Sequence, residues 1–171
     1  MEFIFETQYN AKTMTAMAKA LRKTIRKKHS RRSHIFGWIV TALALLLVFS
    51  GGFVLDMRTV VTLAAVLAIL TVLLFEDRLN GVLAKKRLLP GTEKAVSVFN
   101  ESGFNTTTEI GRTDWNYEKI LIIAETSDFF VFILSANHAQ LYDKRSLQGG
   151  TAEDFRSFIE NATGKAVQTV K

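Results

Sequence analysis

Hydrophobic side chains are concentrated in two long runs near the middle of the chain. Residues 35–55 and 59–75 contain no ionisable side chain, and only Asp56, Met57 and Arg58 separate them. A helix rises about 1.5 Å per residue, so the first run would span about 31 Å, close to the thickness of a bilayer's hydrocarbon core. A connection this short forces two helices to be antiparallel. The pattern predicts a transmembrane hairpin with spans at 35–55 and 59–75.

The alternative to a hairpin is a pair of helices buried in a soluble core. Such helices usually keep a polar stripe along one side, and neither run has one. A cleaved signal sequence is also disfavoured, because the first run begins only after residue 34 and a second run follows it. Anchoring in a membrane is therefore the favoured interpretation.

Basic residues lie on both sides of this apolar centre. Residues 1–34 contain nine Lys or Arg and two acidic residues, and residues 76–92 contain four and two. Basic flanks stay on the cytoplasmic side of a membrane, so both termini are expected in the cytoplasm of a cell with an inner membrane. The basic residues expected at the membrane surface before the first span are Arg22, Lys23, Arg26, Lys27, Lys28, Arg31 and Arg32.

The segment before the hairpin predicts a strand followed by a helix. Residues 1–9 alternate apolar and polar positions, and such a strand must join a sheet elsewhere, because an isolated strand is unstable. Residues 10–34 predict a basic amphipathic helix. It could lie on anionic lipid, extend the first span or bind nucleic acid. No nucleic-acid partner is expected, since topology already explains the basic residues.

The segments after the hairpin predict a stalk and a small domain. Residues 76–92 continue the second span as a helical stalk and linker, in which Pro90 ends the helix. Residues 93–171 alternate short strand patterns with turn residues, as is typical of a sandwich or small barrel. Thr151 and Asp154 form a capping-box pattern for a final helix.

One meandering antiparallel sheet closed by a C-terminal helix has the form of a pleckstrin-homology-like (PH-like) domain. The expected fold is therefore an α+β membrane protein. It would combine a two-helix transmembrane hairpin with a cytoplasmic PH-like β-domain, and a C-terminal helix would cap that domain.

A family resemblance is carried by the order of the elements, by Trp115, Tyr117 and Ile120 after the hairpin, and by three short motifs. Residues 123–132 (IAETSDFFVF) are its most telling part, and Asp143-Lys144-Arg145 and Phe155-Arg156 follow. They resemble the YcxB-like family of bacterial membrane proteins, in which a proline typically stands where this chain has Asp143. That family has no established activity, so the resemblance implies an architecture and no particular reaction.

Candidate chemistry is sparse in this sequence. The absence of cysteine excludes disulfides and thiol catalysis. His29, His34 and His138 show no metal-ligand spacing, and the serines lack a nucleophile motif. We therefore expect no catalytic residue, no metal, no cofactor and no enzyme activity. Lys144 and Arg145 are the candidate contact for a partner or an anionic lipid headgroup.

The expected function is a membrane-anchored binding or scaffolding module. Its partners would be the bilayer and either anionic headgroups or a cytoplasmic protein. The alternative is a homo-oligomeric membrane component, such as a small pore or transport accessory. Small residues at Ala64 and Ala68 favour that alternative, whereas the lack of charged side chains in the spans disfavours conduction.

Overall fold

The computed structural model describes residues 2–50 and 52–170. Met1, Gly51 and Lys171, which belong to the predicted N-terminal strand, first span and C-terminal domain, lie outside the described residues. The helices are α1 (Ala11–Lys23), α2 (Lys27–Ser50), α3 (Met57–Lys86) and α4 (Ala152–Thr163). The strands are β1 (Phe3–Gln8), β2 (Lys94–Asn100), β3 (Gly103–Thr108), β4 (Gly111–Trp115), β5 (Ile122–Glu125), β6 (Phe129–Ile133), β7 (Ala139–Asp143) and β8 (Val167–Thr169).

Helices α2 and α3 are long and apolar enough to cross a membrane, and most of their apolar surface is exposed. They pack against each other, and the side chain of Leu73 on α3 lies over a glycine of α2. A Cβ atom on Gly37 would lie 2.8 Å from Cδ2 of Leu73. The absence of a side chain on Gly37 therefore lets α3 come close to α2.

The first apolar helix differs from the predicted span at both ends. It begins at Lys27, inside the basic segment, and ends at Ser50 rather than at residue 55. Gly52 has a φ of 77°, a left-handed conformation that favours glycine and commonly follows a helix end. The prediction of a helix through residue 55 is therefore wrong.

The second predicted span and the stalk form one helix with a kink. The side chain of Asp56 caps α3 by accepting a hydrogen bond from the Thr59 amide at 2.8 Å. Phe75 has non-helical angles (φ −114°, ψ 19°), so the kink lies at the predicted boundary between span and stalk. The helix ends at Lys86, before the proline of the linker.

The predicted basic helix over residues 10–34 is wrong as a single element. Thr24 has φ −114° and ψ −99°, which ends α1, and its hydroxyl donates to the carbonyl of Ala20 at 2.6 Å. The Thr24 amide donates to the same carbonyl at 3.1 Å, so the hydroxyl shares this acceptor with the helix's own hydrogen bond. Helices α1 and α2 therefore meet at an elbow formed by residues 24–26.

The β-strands form two four-stranded sheets, where the sequence predicted one meander. The first sheet has the order β1-β2-β3-β4 and the second β7-β6-β5-β8. Strand β1 lies antiparallel to β2, with Phe3 opposite Phe99. Strand β8 was not predicted; it lies parallel to β5, with Val167 opposite Ile123.

An aromatic core lies between the sheets and α4. Phe5, Phe99, Phe130 and Phe155 are fully buried, and the rings of Phe5 and Phe155 meet edge-on at 4.7 Å. These side chains come from both sheets and from the helix. The core therefore holds the N-terminal strand in the same domain as the C-terminal helix.

A second core joins α1 to the outer face of the second sheet. Ala20 and Leu21 of α1 pack on Ala124, Val131 and Leu141. On another face of α1, Thr15 lies against Gly81 of α3. Helix α1 therefore lies between the β-domain and the end of the hairpin.

Candidate functional site

Lys144 and Arg145, the predicted contact for a partner or lipid, lie in different environments. The ammonium of Lys144 donates to Oε1 of Glu125 at 2.6 Å and to the carbonyl of Thr126 at 2.7 Å. Arg145 is exposed and pairs with Asp143 at 2.6 Å. The Lys144 ammonium is therefore engaged inside the domain, whereas Arg145 lies at the surface. The predicted contact at these two residues stays a prediction.

Glu125 is the centre of a buried ion cluster. Its side chain is 8% exposed and accepts hydrogen bonds from Lys144 and from Nε and Nη2 of Arg156, both at 2.8 Å. Burial raises the pKa of Glu125, but the hydrogen bonds from Arg156 and Lys144 outweigh it and hold this pKa below its ordinary value. The cluster links β5, the turn after β7 and α4.

The seven basic residues predicted at the membrane surface divide into two groups. Arg22 binds Asp77 of α3, and Arg26 donates to the carbonyl of Ala136 and the side chain of Asn137. The others are exposed and have no ion pair with any residue that the structure describes: Lys23, Lys27, Lys28, Arg31 and Arg32.

Some of these unpaired residues line an open cleft of about 710 Å³ at the elbow. We call it the elbow cleft. One wall comes from the end of α1 and the start of α2, and the other from the C-terminal strand. Its lining residues are Arg22, Lys23, Thr24, Lys27, Ser30, Arg31, His34, Gln168, Thr169 and Val170. The basic side chains of this cleft could be identified from the sequence. The opposite wall could not, because the strand β8 was not predicted.

A second cavity, of about 560 Å³, opens between the first sheet and α1. We call it the sheet cavity. Met14, Met17 and Trp115 form part of its apolar wall, and Thr106 and Gln140 add polar groups. The Gln140 oxygen accepts a hydrogen bond from Tyr142 at 2.5 Å, while its amide nitrogen has no partner within the described part of the chain. Such a cavity suits a ligand or chain segment that is mainly apolar.

The sheet cavity adjoins a free sheet edge. Strand β4 pairs with β3 on one side, and its other side has no partner strand among the described residues. Four of its five residues are exposed. An open edge presents unpaired backbone groups that an extended segment of another protein can pair with.

The three motifs that carried the resemblance meet in the Glu125 cluster. Residues 99–159 match the family of YcxB-like proteins. The resemblance predicted from the sequence is therefore confirmed over this segment, which includes Glu125, Lys144 and Arg156. No curated protein matches the chain.

The YcxB-like segment contains the Glu125 cluster and the free edge of β4, but no residue of the elbow cleft. The cleft is built from residues 22–34 and 168–170, on either side of the matched range. The family match therefore says nothing about what the elbow cleft binds.

Metal-binding geometry is not found among residues 2–50 and 52–170, where no three His, Cys, Asp or Glu side chains form a group that could hold an ion. His34 is hydrogen-bonded to Glu76 at 2.7 Å, and His138 lies edge-on to Trp115. The expectation that the protein has no metal, cofactor or catalytic residue stays a prediction.

Ala64 and Ala68 lie on an exposed side of α3. They are therefore available to lipid or to a second copy of the chain, and they do not form the contact between α2 and α3. The homo-oligomeric alternative stays a prediction.

Proposed function

We propose that the protein is a membrane-anchored binding module without enzymatic activity, held at the cytoplasmic face of an inner membrane. The observation that carries the proposal is the double contact of α1. Leu21 of α1 packs into the second core, while Arg22 binds Asp77 of α3. A flexible linker would leave the domain free to move, whereas this arrangement holds it against the hairpin.

The proposed topology rests on charge and on hydropathy. The basic flanks of both apolar helices favour a cytoplasmic location for the two termini. The connection around Asp56 is short and would lie outside. The β-domain would then stand directly on the inner membrane surface, within reach of cytoplasmic proteins.

The domain itself is proposed to be PH-like. Two four-stranded sheets enclose an aromatic core, and α4 contributes Phe155 and Ile159 to it. These features support a small sandwich closed by a C-terminal helix. In this proposal the domain supplies a rigid frame, and partners bind at its edges.

The proposed partner-binding face is the free edge of β4 with the adjoining sheet cavity. The backbone of β4 can accept an extended peptide strand, and the cavity can take apolar side chains from that peptide. This pairing of an open edge with an apolar cavity favours a protein partner over a soluble metabolite.

Photo-crosslinking with the full chain in native membranes tests this face. A benzophenone amino acid would replace Arg112, on β4, or Asn161, an exposed residue of α4. We expect a discrete adduct with one other protein from position 112 and none from position 161. No adduct from position 112, or the same adducts from both positions, would contradict the proposal.

Reporter fusions after Met57 and after Lys171 test the topology separately. We expect the reporter after Met57 to be active outside and the reporter after Lys171 to be active in the cytoplasm. An exported C-terminus would overturn the proposed location of the domain, whatever the crosslinking shows.

A further inference from the structure

We propose that the elbow cleft binds the phosphate headgroup of an anionic phospholipid. The inference rests on the proposed membrane anchoring and adds to it a specific lipid site, which lies outside the YcxB-like segment. It is carried by the charge balance of the cleft, by its two-sided shape and by its place in the chain.

The cleft has an excess of positive charge. Of its basic residues, Arg22 pairs with Asp77 at 2.6 Å and lies 3.7 Å from Glu76, and His34 is hydrogen-bonded to Glu76. Lys23, Lys27 and Arg31 have no such partner among the described residues, and no acidic side chain lines the cleft. Three cations that face one cleft repel one another, and a phosphate would offset this repulsion by accepting their hydrogen bonds.

The helix that forms one wall adds to the positive potential. Lys27 and Arg31 are four residues apart on α2, and therefore lie on the same face. The first turn of α2 contains no acidic residue, so the partial positive charge of its N-terminus is not compensated there. Lys23 approaches the same cleft from the end of α1.

The opposite wall turns a charged helix face into a cleft. The C-terminal strand β8 contributes Gln168 and Thr169, whose side chains offer further hydrogen-bond donors. By contrast, Lys28 and Arg32 lie on the same helix but do not line the cleft. The site is therefore formed where the elbow meets β8. The basic residues that flank a transmembrane span do not by themselves form such a cleft.

The place of the cleft in the chain favours a lipid as the source of the phosphate. Its lining ends at His34, and the uncharged run begins at the next residue, Ile35. In the proposed anchoring, a group at this position would lie at the level where phospholipid headgroups meet the hydrocarbon core. A bound headgroup could leave its acyl chains beside the exposed apolar surface of α2.

Native mass spectrometry of the full chain, purified in detergent, tests the site. It compares how much phosphatidylglycerol and how much phosphatidylcholine stay bound to the protein. The cleft variant combines Lys23→Gln, Lys27→Gln and Arg31→Gln. A control variant with the same loss of charge combines Lys28→Gln, Arg32→Gln and Lys86→Gln, all at exposed positions outside the cleft. At about fivefold per basic residue, the loss of three basic residues should reduce the phosphatidylglycerol preference of the cleft variant by about a hundredfold. The control should change by less than about tenfold.

Equal retention of the two lipids by the wild-type chain, or equal losses in both variants, would overturn the inference. Calorimetric titration with inorganic phosphate distinguishes a lipid from a soluble ligand. We expect no saturable binding of inorganic phosphate. Tight binding of inorganic phosphate by a chain that retains the two lipids equally would overturn the lipid assignment. The membrane fraction of each variant is measured in parallel, so a failure of anchoring is recognised separately from a failure of lipid binding.

Discussion

Arg22 and Asp77 form a two-pronged ion pair between α1 and α3. Nε of Arg22 lies 2.6 Å from Oδ1 of Asp77, and Nη2 lies 2.6 Å from Oδ2. Their side chains are 25% and 18% exposed, so water screens the pair only in part. Since α1 also packs on the second sheet, this pair ties the β-domain to the hairpin.

Loss of this pair should weaken the attachment of the domain. We expect Arg22→Ala to lower the free energy of unfolding by about 2 kcal/mol, because it leaves the mostly buried Asp77 carboxylate without this partner. Urea titration of the full chain in detergent measures this change. Arg32→Ala is the matched control, as Arg32 is exposed and unpaired among the described residues. Equal effects of the two changes would contradict the role given to Asp77.

The contact between α1 and α3 also depends on a glycine. A Cβ atom on Gly81 would lie 2.6 Å from the backbone nitrogen of Thr15 and 2.7 Å from its Cα. Backbone atoms cannot move out of the way by a side-chain rotation. Gly81→Ala should therefore push α1 away and lower the free energy of unfolding by about 1–3 kcal/mol. Hydrogen exchange of the α1 amides should increase in this variant.

Gly111→Ala is the control for that substitution, because a Cβ atom on Gly111 would meet nothing within 4 Å. We expect its exchange pattern in α1 to match that of the wild type. Unchanged protection of α1 in the Gly81 variant would show that the close approach to Thr15 is not needed for docking.

The long elements could be predicted from sequence because local patterns determine them. Two uncharged runs identified the apolar helices, and the capping box of Thr151 and Asp154 predicted the start of α4, which the structure confirms. The end of the first span was missed, since hydropathy continues through residue 55 while the glycine at 52 turns the chain. The break at Thr24 was missed because basic and apolar residues continue in helical spacing beyond it.

The candidate sites were harder to predict because their residues are far apart in the chain. Glu125 meets Lys144 and Arg156 across separations of 19 and 31 residues, and no local pattern shows such a meeting. The elbow cleft likewise needs β8, which is three residues long and pairs in parallel with a distant strand. Its basic wall could be predicted from charge alone, but its shape could not.

Strand β1 should be essential for the stability of the domain, although the hairpin separates it from its partner strand. Phe5 is fully buried, and its ring packs against Phe155 at 4.7 Å and Phe99 at 5.6 Å. We expect Phe5→Ala to lower the free energy of unfolding by about 3–5 kcal/mol. Gln8→Ala, at an exposed position of the same strand, is the control for urea titration. A loss below about 1 kcal/mol would show that the core does not depend on β1.

The Glu125 cluster should make the stability of the protein depend on pH. The folded state holds the pKa of Glu125 below its ordinary value, which is about 4.3 in an unfolded chain. A carboxylate with a lowered pKa contributes stability above the unfolded pKa and loses that contribution as pH falls through the folded pKa. The contribution is therefore complete at neutral pH and disappears in acid.

Glu125→Gln removes this contribution and tests its pH dependence. At about pH 7 we expect the variant to be less stable than the wild type by about 3 kcal/mol, because Arg156 and Lys144 lose the charge that neutralises them. The difference should shrink steadily below about pH 4, where the wild-type carboxyl also becomes neutral. Glu118→Gln, an exposed control, should show little difference at any pH. Urea titrations in detergent across this pH range measure the difference in stability. A difference that stays constant with pH would mean that Glu125 contributes through the packing of its side chain and not through its charge.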